Sequence, residues 1–192
     1  MKVAIGIMSG TGWLCHDYVM SLVSMIGFTR TQVPLGLVFV RASSSLVANS
    51  RNQCVAAALR TECDKLLMID SDMTFPHDTL VRLLSHGVDI VGGVYVRRGT
   101  KNEIIGAPKA AGDYDGLVAM NQLGTGCILI DMKVFSALPK PWFRTPPDES
   151  IGANIGEDVQ FCRDVTARGY DLWADVSIDL GHIDQTVLAC PR

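Results

Sequence analysis

Three short apolar runs separated by two helix-like segments fill the first part of this chain, and that alternation constrains the fold more than any other feature. Residues 3–8, 35–40 and 65–69 have the length and composition of buried strands. Between them, residues 14–26 carry Leu14, Val19, Leu22, Val23 and Ile26 at helical spacing, with Gly27 as the expected stop. A second helix is expected from a cap at Ser44 or Ser45 through Asn52 to about Arg60, with Val47, Val55, Ala58 and Leu59 as its apolar stripe. A βαβαβ order of this kind closes into a parallel sheet with helices on both faces.

The later sequence changes character. Pro76 and Asp78 open a short helix to His86, and residues 88–95 form a strand containing Gly92 and Gly93. Residues 96–116 are rich in Gly, Lys and Ala without periodicity, which predicts an excursion or flap. Two strands, 117–123 and 127–130, joined through Gly124-Thr125-Gly126, predict an antiparallel addition to the sheet. Residues 134–138 form a helical turn, and four prolines punctuate a loop carrying Trp142 and Phe143. A helix over 157–168 closed by Gly169 and a strand over 170–174 follow. With no internal repeat and no linker-like stretch, the 192 residues are expected to make one domain spanning 1–192.

Composition narrows the class. The chain is 48% hydrophobic and 19% charged, which excludes wholesale disorder, and its net charge of −3 gives no electrostatic case for strong nucleic-acid or membrane binding. Arg97, Arg98 and Lys101 form the only tight basic cluster, in keeping with a solvated loop. Six cysteines, at 15, 54, 63, 127, 162 and 190, show neither a CxxC pair nor metal-finger spacing, so reduced thiols and a cytoplasmic location are expected. The apolar run at 3–8 is too short for a signal-peptide core, and no stretch approaches the ~20 apolar residues of a membrane span.

The chemistry concentrates where the third strand stops, at Ile69-Asp70-Ser71-Asp72-Met73. In an extended chain residues i and i+2 share a side, so Asp70 and Asp72 are expected to point together into the crevice at the strand ends. Two carboxylates there suit Mg²⁺ or Mn²⁺, and a solvated acidic turn would satisfy the same pattern. Gly156-Glu157-Asp158 places two more carboxylates at a helix start, where the helix dipole alone would favour them. Gly181-His182 follows the last strand, and a neutral imidazole is a competent third metal ligand. Gly92-Gly93 and Gly124-Thr125-Gly126 mark bulges or a close approach of ligand to backbone. Neither the P-loop nor the G-x-G-x-x-G fingerprint is present.

In their order along the chain these stretches, with Ser50-Arg51-Asn52 and Pro141-Trp142-Phe143, resemble the GT-A fold of nucleotide-sugar glycosyltransferases, family 2-like members in particular. The resemblance covers about residues 2–183 and implies a Rossmann-like α/β/α sandwich, its mainly parallel sheet carrying a small antiparallel addition. It implies a UDP- or GDP-sugar donor and a Mn²⁺ or Mg²⁺ cofactor. Asp70 and Ser71 would lie near the donor ribose or metal, Asp72 would chelate the cation, and His182 would complete its ligands. Ser9 and Arg51 would sit near the nucleotide. Gly93, Gly124, Thr125, Gly126 and Trp142 would border the donor sugar or acceptor. Asp158 would be the general base, with Glu157 its neighbour, in an inverting transfer.

The resemblance leaves little chain for an acceptor domain. Residues 96–116, the Trp142-Phe143 loop, the C-terminal tail or another subunit of a homo-oligomer must then recognise the acceptor. A saccharide, a lipid-linked sugar, a protein or a hydroxylated base in phage DNA are all compatible. For the last, Arg97, Arg98, Lys101 and Trp142-Phe143 would supply the contacts. Two rivals stand beside this reading. Asp70-Ser71-Asp72-Met73-Thr74 also satisfies the D-x-D-x-T motif of haloacid-dehalogenase-like phosphohydrolases, although that motif normally follows the first strand of its domain. A nucleotide-sugar-binding module without turnover would keep the same fold.

Overall fold

The computed structural model describes residues 1–100, 103–112, 115–150 and 152–183. The first half is built as the alternation requires. Strand β1 (Lys2–Met8), helix α1 (His16–Gln32), strand β2 (Gly36–Ala42), helix α2 (Val47–Leu59) and strand β3 (Lys65–Asp70) follow one another, and β1 pairs in parallel with both β2 and β3. Met8 lies opposite Asp70, so Ser9 leaves β1 level with the acidic end of β3.

Beyond it come β4 (Met73–Thr74), α3 (Thr79–Ser85), β5 (Ile90–Gly93), β6 (Tyr95–Val96), β7 (Ile104–Pro108) and β8 (Leu117–Leu123). Strand β9 (Cys127–Asp131) leads into α4 (Met132–Ala137), and the short β10 (Pro147–Asp148) and β11 (Ala153–Asn154) pair with each other. Helix α5 (Glu157–Thr166), β12 (Leu172–Asp175) and β13 (Gly181–His182) complete the described chain. Nine strands form one sheet in the order β2-β1-β3-β9-β5-β12-β8-β7-β6. Strand β9 is inserted antiparallel between β3 and β5, so β2, β1, β3, β5 and β12 all run the same way. The sheet is mainly parallel in direction, but its antiparallel part (β9 at the centre, β8 to β6 at one edge) is larger than the sequence predicts.

Alternation along β3 divides the core into two layers. Leu66 and Met68 face Cys54, Val55, Phe135, Phe161 and Val165 of α2, α4 and α5. Leu67 and Ile69 face Tyr18, Leu22, Met25, Leu80 and Leu83 of α1 and α3. All four β3 side chains are fully buried, each contributing up to roughly 1.5–3 kcal/mol. Gly6 lets α2 lie close on β1, since a Cβ there would collide with Cys54 Sγ. The five described cysteines are free, and burial pushes the Cys54 and Cys127 thiols up to about 12.

Several local expectations change. Helix α1 runs through the exposed Gly27 to Gln32, because Met25 and Thr29 pack inward and hold its last turns, and Pro34 follows its end. Helix α2 leaves Val47 and Leu59 exposed and buries Ser50, Arg51, Cys54, Val55 and Ala58 instead. Ser44 does not cap it; its Oγ accepts from Leu46 N–H at 3.2 Å. Part of the 96–116 excursion is sheet: β7 pairs with β6 and β8, while residues 101, 102, 113 and 114 lie outside the described set. No helix among the described residues is long and apolar enough to cross a membrane.

Candidate functional site at the end of β3

Strand parity sends Asp70 toward α2 and α5, the layer that Leu66 and Met68 also face. There both its oxygens accept from Arg51 Nη2, at 3.1 and 3.0 Å, while Arg51 Nη1 pairs with Glu157 at the start of α5. The Arg51 residue is only 3% exposed. Burial works against its charge, but the two carboxylates outweigh burial and raise its pKa. Burial also pushes the Asp70 carboxyl above the usual range, with Arg51 opposing it and Glu157 reinforcing it. Two anions share one guanidinium here, so the triad keeps a residual negative charge beneath the strand end.

Asp72 has a different environment. Asp70 closes the strand, Ser71 and Asp72 turn, and β4 then pairs with β13, setting His182 opposite Met73. Gly181 is required at that point, because a Cβ would strike Thr74 Oγ1. Ile183 N–H donates to the Asp72 carbonyl at 2.7 Å, which fixes the two strands beside the turn. His182 Nδ1 lies 3.1 Å from the Val96 carbonyl, and a proton there leaves Nε2 as an acceptor. That Nε2 is 3.4 Å from Asp72 Oδ2. Arg98 Nη2 pairs with Asp72 Oδ2 and lies 3.4 Å from His182 Nε2.

The expected three-ligand set of Asp70, Asp72 and His182 is therefore reduced. Among the described residues no three His, Cys, Asp or Glu side chains gather around one point, because Asp70 is committed to Arg51. Asp72 and His182 do converge, and a carboxylate with an oriented imidazole is a chemically suitable pair of donors for a hard divalent cation whose other ligands come from elsewhere.

Two cavities open around this point, and a third lies at the start of α5. One of about 200 Å³ is lined by Ser9, Ser44, Ser45, Ser50, Ser71 and both acidic residues of the strand end, so Asp70 and Asp72 border one space as expected. A second, about 300 Å³, shares Ser71 and Asp72 and is walled by Trp13 and Arg98. Trp13 is 83% exposed and is carried on a loop tied by Ser9 Oγ donating to its carbonyl at 2.7 Å. The third, about 440 Å³, is lined by Arg97, Gln122, Gly124 and Asp158. Asp158 Oδ1 accepts from Val159 N–H at 2.7 Å at the first turn of α5.

The glycine signals have internal causes. A Cβ at Gly93 would meet Leu180, and Cβ atoms at Gly124 and Gly126 would lie 2.7 and 2.5 Å from the Tyr95 hydroxyl. That hydroxyl accepts from Gly126 N–H at 2.9 Å, so the Gly124–Gly126 turn is shaped around Tyr95. Thr125 is buried, with no hydrogen-bond partner for its Oγ1 among the described residues. Trp142 and Phe143, read in the sequence as loop aromatics, are packed inward. Both are core residues; Trp142 Nε1 donates to the Phe135 carbonyl at 2.9 Å, and Phe143 stacks on Phe161. Asn52 holds their loop by bonding both N–H and C=O of Phe143. The supposed basic cluster is dispersed, with Arg97 paired to Glu103, Arg98 to Asp72, and Lys101 outside the described residues. Sequence reasoning missed Arg98 and Trp13, since no local signal ties either to Asp72.

The whole is a GT-A-like α/β fold. No protein-family model and no curated protein sequence matches the chain. Among solved structures it is similar to A197 from STIV, at 17% identity and a TM-score of 0.66, over 100% of this chain and 98% of that one. It is also similar to GalNAc-T7 solved with UDP, GalNAc and Mn²⁺, at 12% identity and a TM-score of 0.57. That match covers 95% of this chain and 44% of the other. At these identities the likeness is one of fold.

Proposed function

We propose that this chain, acting as one domain, transfers a sugar from a UDP- or GDP-linked donor to an acceptor hydroxyl with inversion at the anomeric carbon. The observation that carries the reading is the convergence of Asp72 and His182 beside a serine-lined cavity at the carboxyl end of β3. The fold likeness to a protein solved with UDP, GalNAc and Mn²⁺ supports it. Ser9, Ser71 and Ser50 would contact the nucleoside, and Asp72 with His182 would hold Mn²⁺ or Mg²⁺. When bound, the cation neutralises charge developing on the departing diphosphate.

Asp158 would take the proton from the acceptor hydroxyl as that oxygen bonds to the anomeric carbon and the nucleoside diphosphate leaves on the opposite face. It sits in the first turn of α5, beside Glu157. Arg51 and Glu157 support the site from beneath and do not touch the nucleotide in this reading, since both terminal nitrogens of Arg51 face carboxylates. Gly124 and Gln122 line the space where donor sugar and acceptor would meet Asp158. A saccharide acceptor fits better than a base in DNA, because the aromatic pair that would stack on a base is buried. The phosphohydrolase alternative requires Asp70 to attack phosphorus, yet both Asp70 oxygens are engaged by Arg51.

The direct test incubates purified protein with a panel of UDP- and GDP-sugars, Mn²⁺ and candidate saccharides, and reads product mass. Sugar-mass addition that stops in EDTA supports the reading. Release of inorganic phosphate without transfer would favour the phosphohydrolase.

A further inference from the structure

Arg98 occupies the place that matters most in the proposed donor site. Its guanidinium pairs with Asp72 Oδ2 and approaches His182 Nε2, the two donor atoms that a divalent cation would share. A cation bound to both atoms and a guanidinium bonded to the same carboxylate oxygen would crowd each other, with like charges in contact. The charge count makes Arg98 more than a passing partner. Asp70, Glu157 and Arg51 already sum to one negative charge, and Asp72 would add a second if Arg98 were absent.

The chain around Arg98 suits a side chain that changes partners. It is half exposed and sits on the turn leaving β6, just before Gly99 at φ 75°. That turn is closed by Thr100 N–H donating to the Arg97 carbonyl at 3.2 Å. Arg97 is pinned by Glu103 at 2.8 Å and lines the Asp158 cavity, while Arg98 lines the separate cavity that contains Asp72 and Trp13. The turn thus carries two arginines that face different cavities, Arg97 paired with Glu103 and Arg98 with Asp72 beside His182. A planar guanidinium released into that cavity is well suited to bond two phosphate oxygens at once.

We propose that Arg98 is a resident counter-cation: it shields Asp72 and His182 in the free protein, yields them to a divalent cation, and then grips the diphosphate of the incoming nucleotide. Free metal is thereby excluded, and metal and nucleotide bind together. The proposal rests on the donor-site reading above, but its first half concerns metal binding alone.

The test measures Mn²⁺ binding by electron paramagnetic resonance, with and without UDP, in the wild type, Arg98→Ala, Arg98→Lys and Asp72→Ala, each checked for folding by circular dichroism. Arg98→Ala should bind Mn²⁺ alone about tenfold more tightly and UDP with Mn²⁺ about tenfold more weakly, the order of one charged hydrogen bond. Arg98→Lys should keep the shield, so that Mn²⁺ affinity stays near wild type, yet lose much of the UDP affinity. Asp72→Ala should bind Mn²⁺ in neither condition. An unchanged Mn²⁺ affinity in Arg98→Ala overturns the proposal. Tighter Mn²⁺ binding in Arg98→Ala, with no UDP binding by any form, supports the shield and refutes the nucleotide-sugar reading. Unchanged UDP affinity in a variant that binds Mn²⁺ more tightly overturns the grip.

Discussion

Asp70 and Asp72 stand two residues apart in one turn, border the same cavity, and have opposite circumstances. Asp70 faces inward to Arg51 and joins α2, β3 and the start of α5 through a buried ion triad. Asp72 lies past the end of the strand, where its partners are a half-exposed arginine and a histidine brought from β13. A carboxylate engaged in a buried triad chiefly holds the scaffold. One whose cation can be exchanged is available for a ligand. A two-residue spacing seen in sequence therefore conceals a difference of environment that only strand parity and non-local pairing create.

Breaking the triad should give the largest effect. Arg51→Ala removes the buried cation and leaves two partly buried carboxylates facing each other, which should cost about 3 kcal/mol of stability, read as a fall in urea midpoint with an unchanged m-value. Asp72→Asn should shift stability by no more than about 0.5 kcal/mol while removing most Mn²⁺-dependent turnover. Equal destabilisation by both variants would erase the distinction between the two residues.

The next effect is catalytic. Asp158→Asn should lose roughly 10²–10⁴-fold in turnover with UDP affinity nearly unchanged, and the wild-type product should carry the inverted anomeric configuration by NMR. Retention of configuration would remove Asp158 from the role of base. His182→Ala should weaken Mn²⁺ binding less than Asp72→Ala does, since it removes a neutral ligand and leaves the anionic one. A greater loss from His182→Ala would mean that Asp72 is not the principal ligand.

The long central strands were legible because each is a local apolar run, and β3 ends on the residue where the sequence turns acidic; β4, β7, β10, β11 and β13 are not such runs and were not read. The helix at 47–59 was legible as a helix, but its buried face was not. That face carries Ser50 and Arg51 toward the site, and an apolar stripe drawn through Val47 and Leu59 points outward. The insertion of β9 between β3 and β5 depends on pairing across more than fifty residues, which no local pattern records. Glycines at 93, 124 and 126 were read as bulges or as a ligand's approach to backbone, and the space beside them is taken by Leu180 and Tyr95. Trp142 drew attention as a loop aromatic, and the structure uses it as core. Arg98 is the reverse case, set aside as loop charge and then found on the candidate ligands.

A third carboxylate at the same sheet end offers the smallest and most discriminating test of the comparison. Asp175 closes β12 beside Gly93 and is almost fully buried, as the Asp70 side chain is not. Burial would raise its pKa, but hydrogen bonds from Ser177 and His86, with the charge of Arg82, outweigh burial and lower it. The folded protein then binds the Asp175 proton less readily than the unfolded chain does. Its stabilisation is present above the ordinary carboxyl value and is lost as pH falls through the lowered one, in the range below about pH 4. Asp70, with a raised pKa, has the opposite slope: its ionisation subtracts stability as pH rises. Urea denaturation of Asp175→Asn from pH 3 to pH 6 should therefore show a deficit against wild type that is largest at pH 6 and shrinks toward pH 3. A deficit independent of pH would mean that Asp175 acts through shape alone, and that the charge of a strand-end carboxylate matters here only where Arg51 or Arg98 faces it.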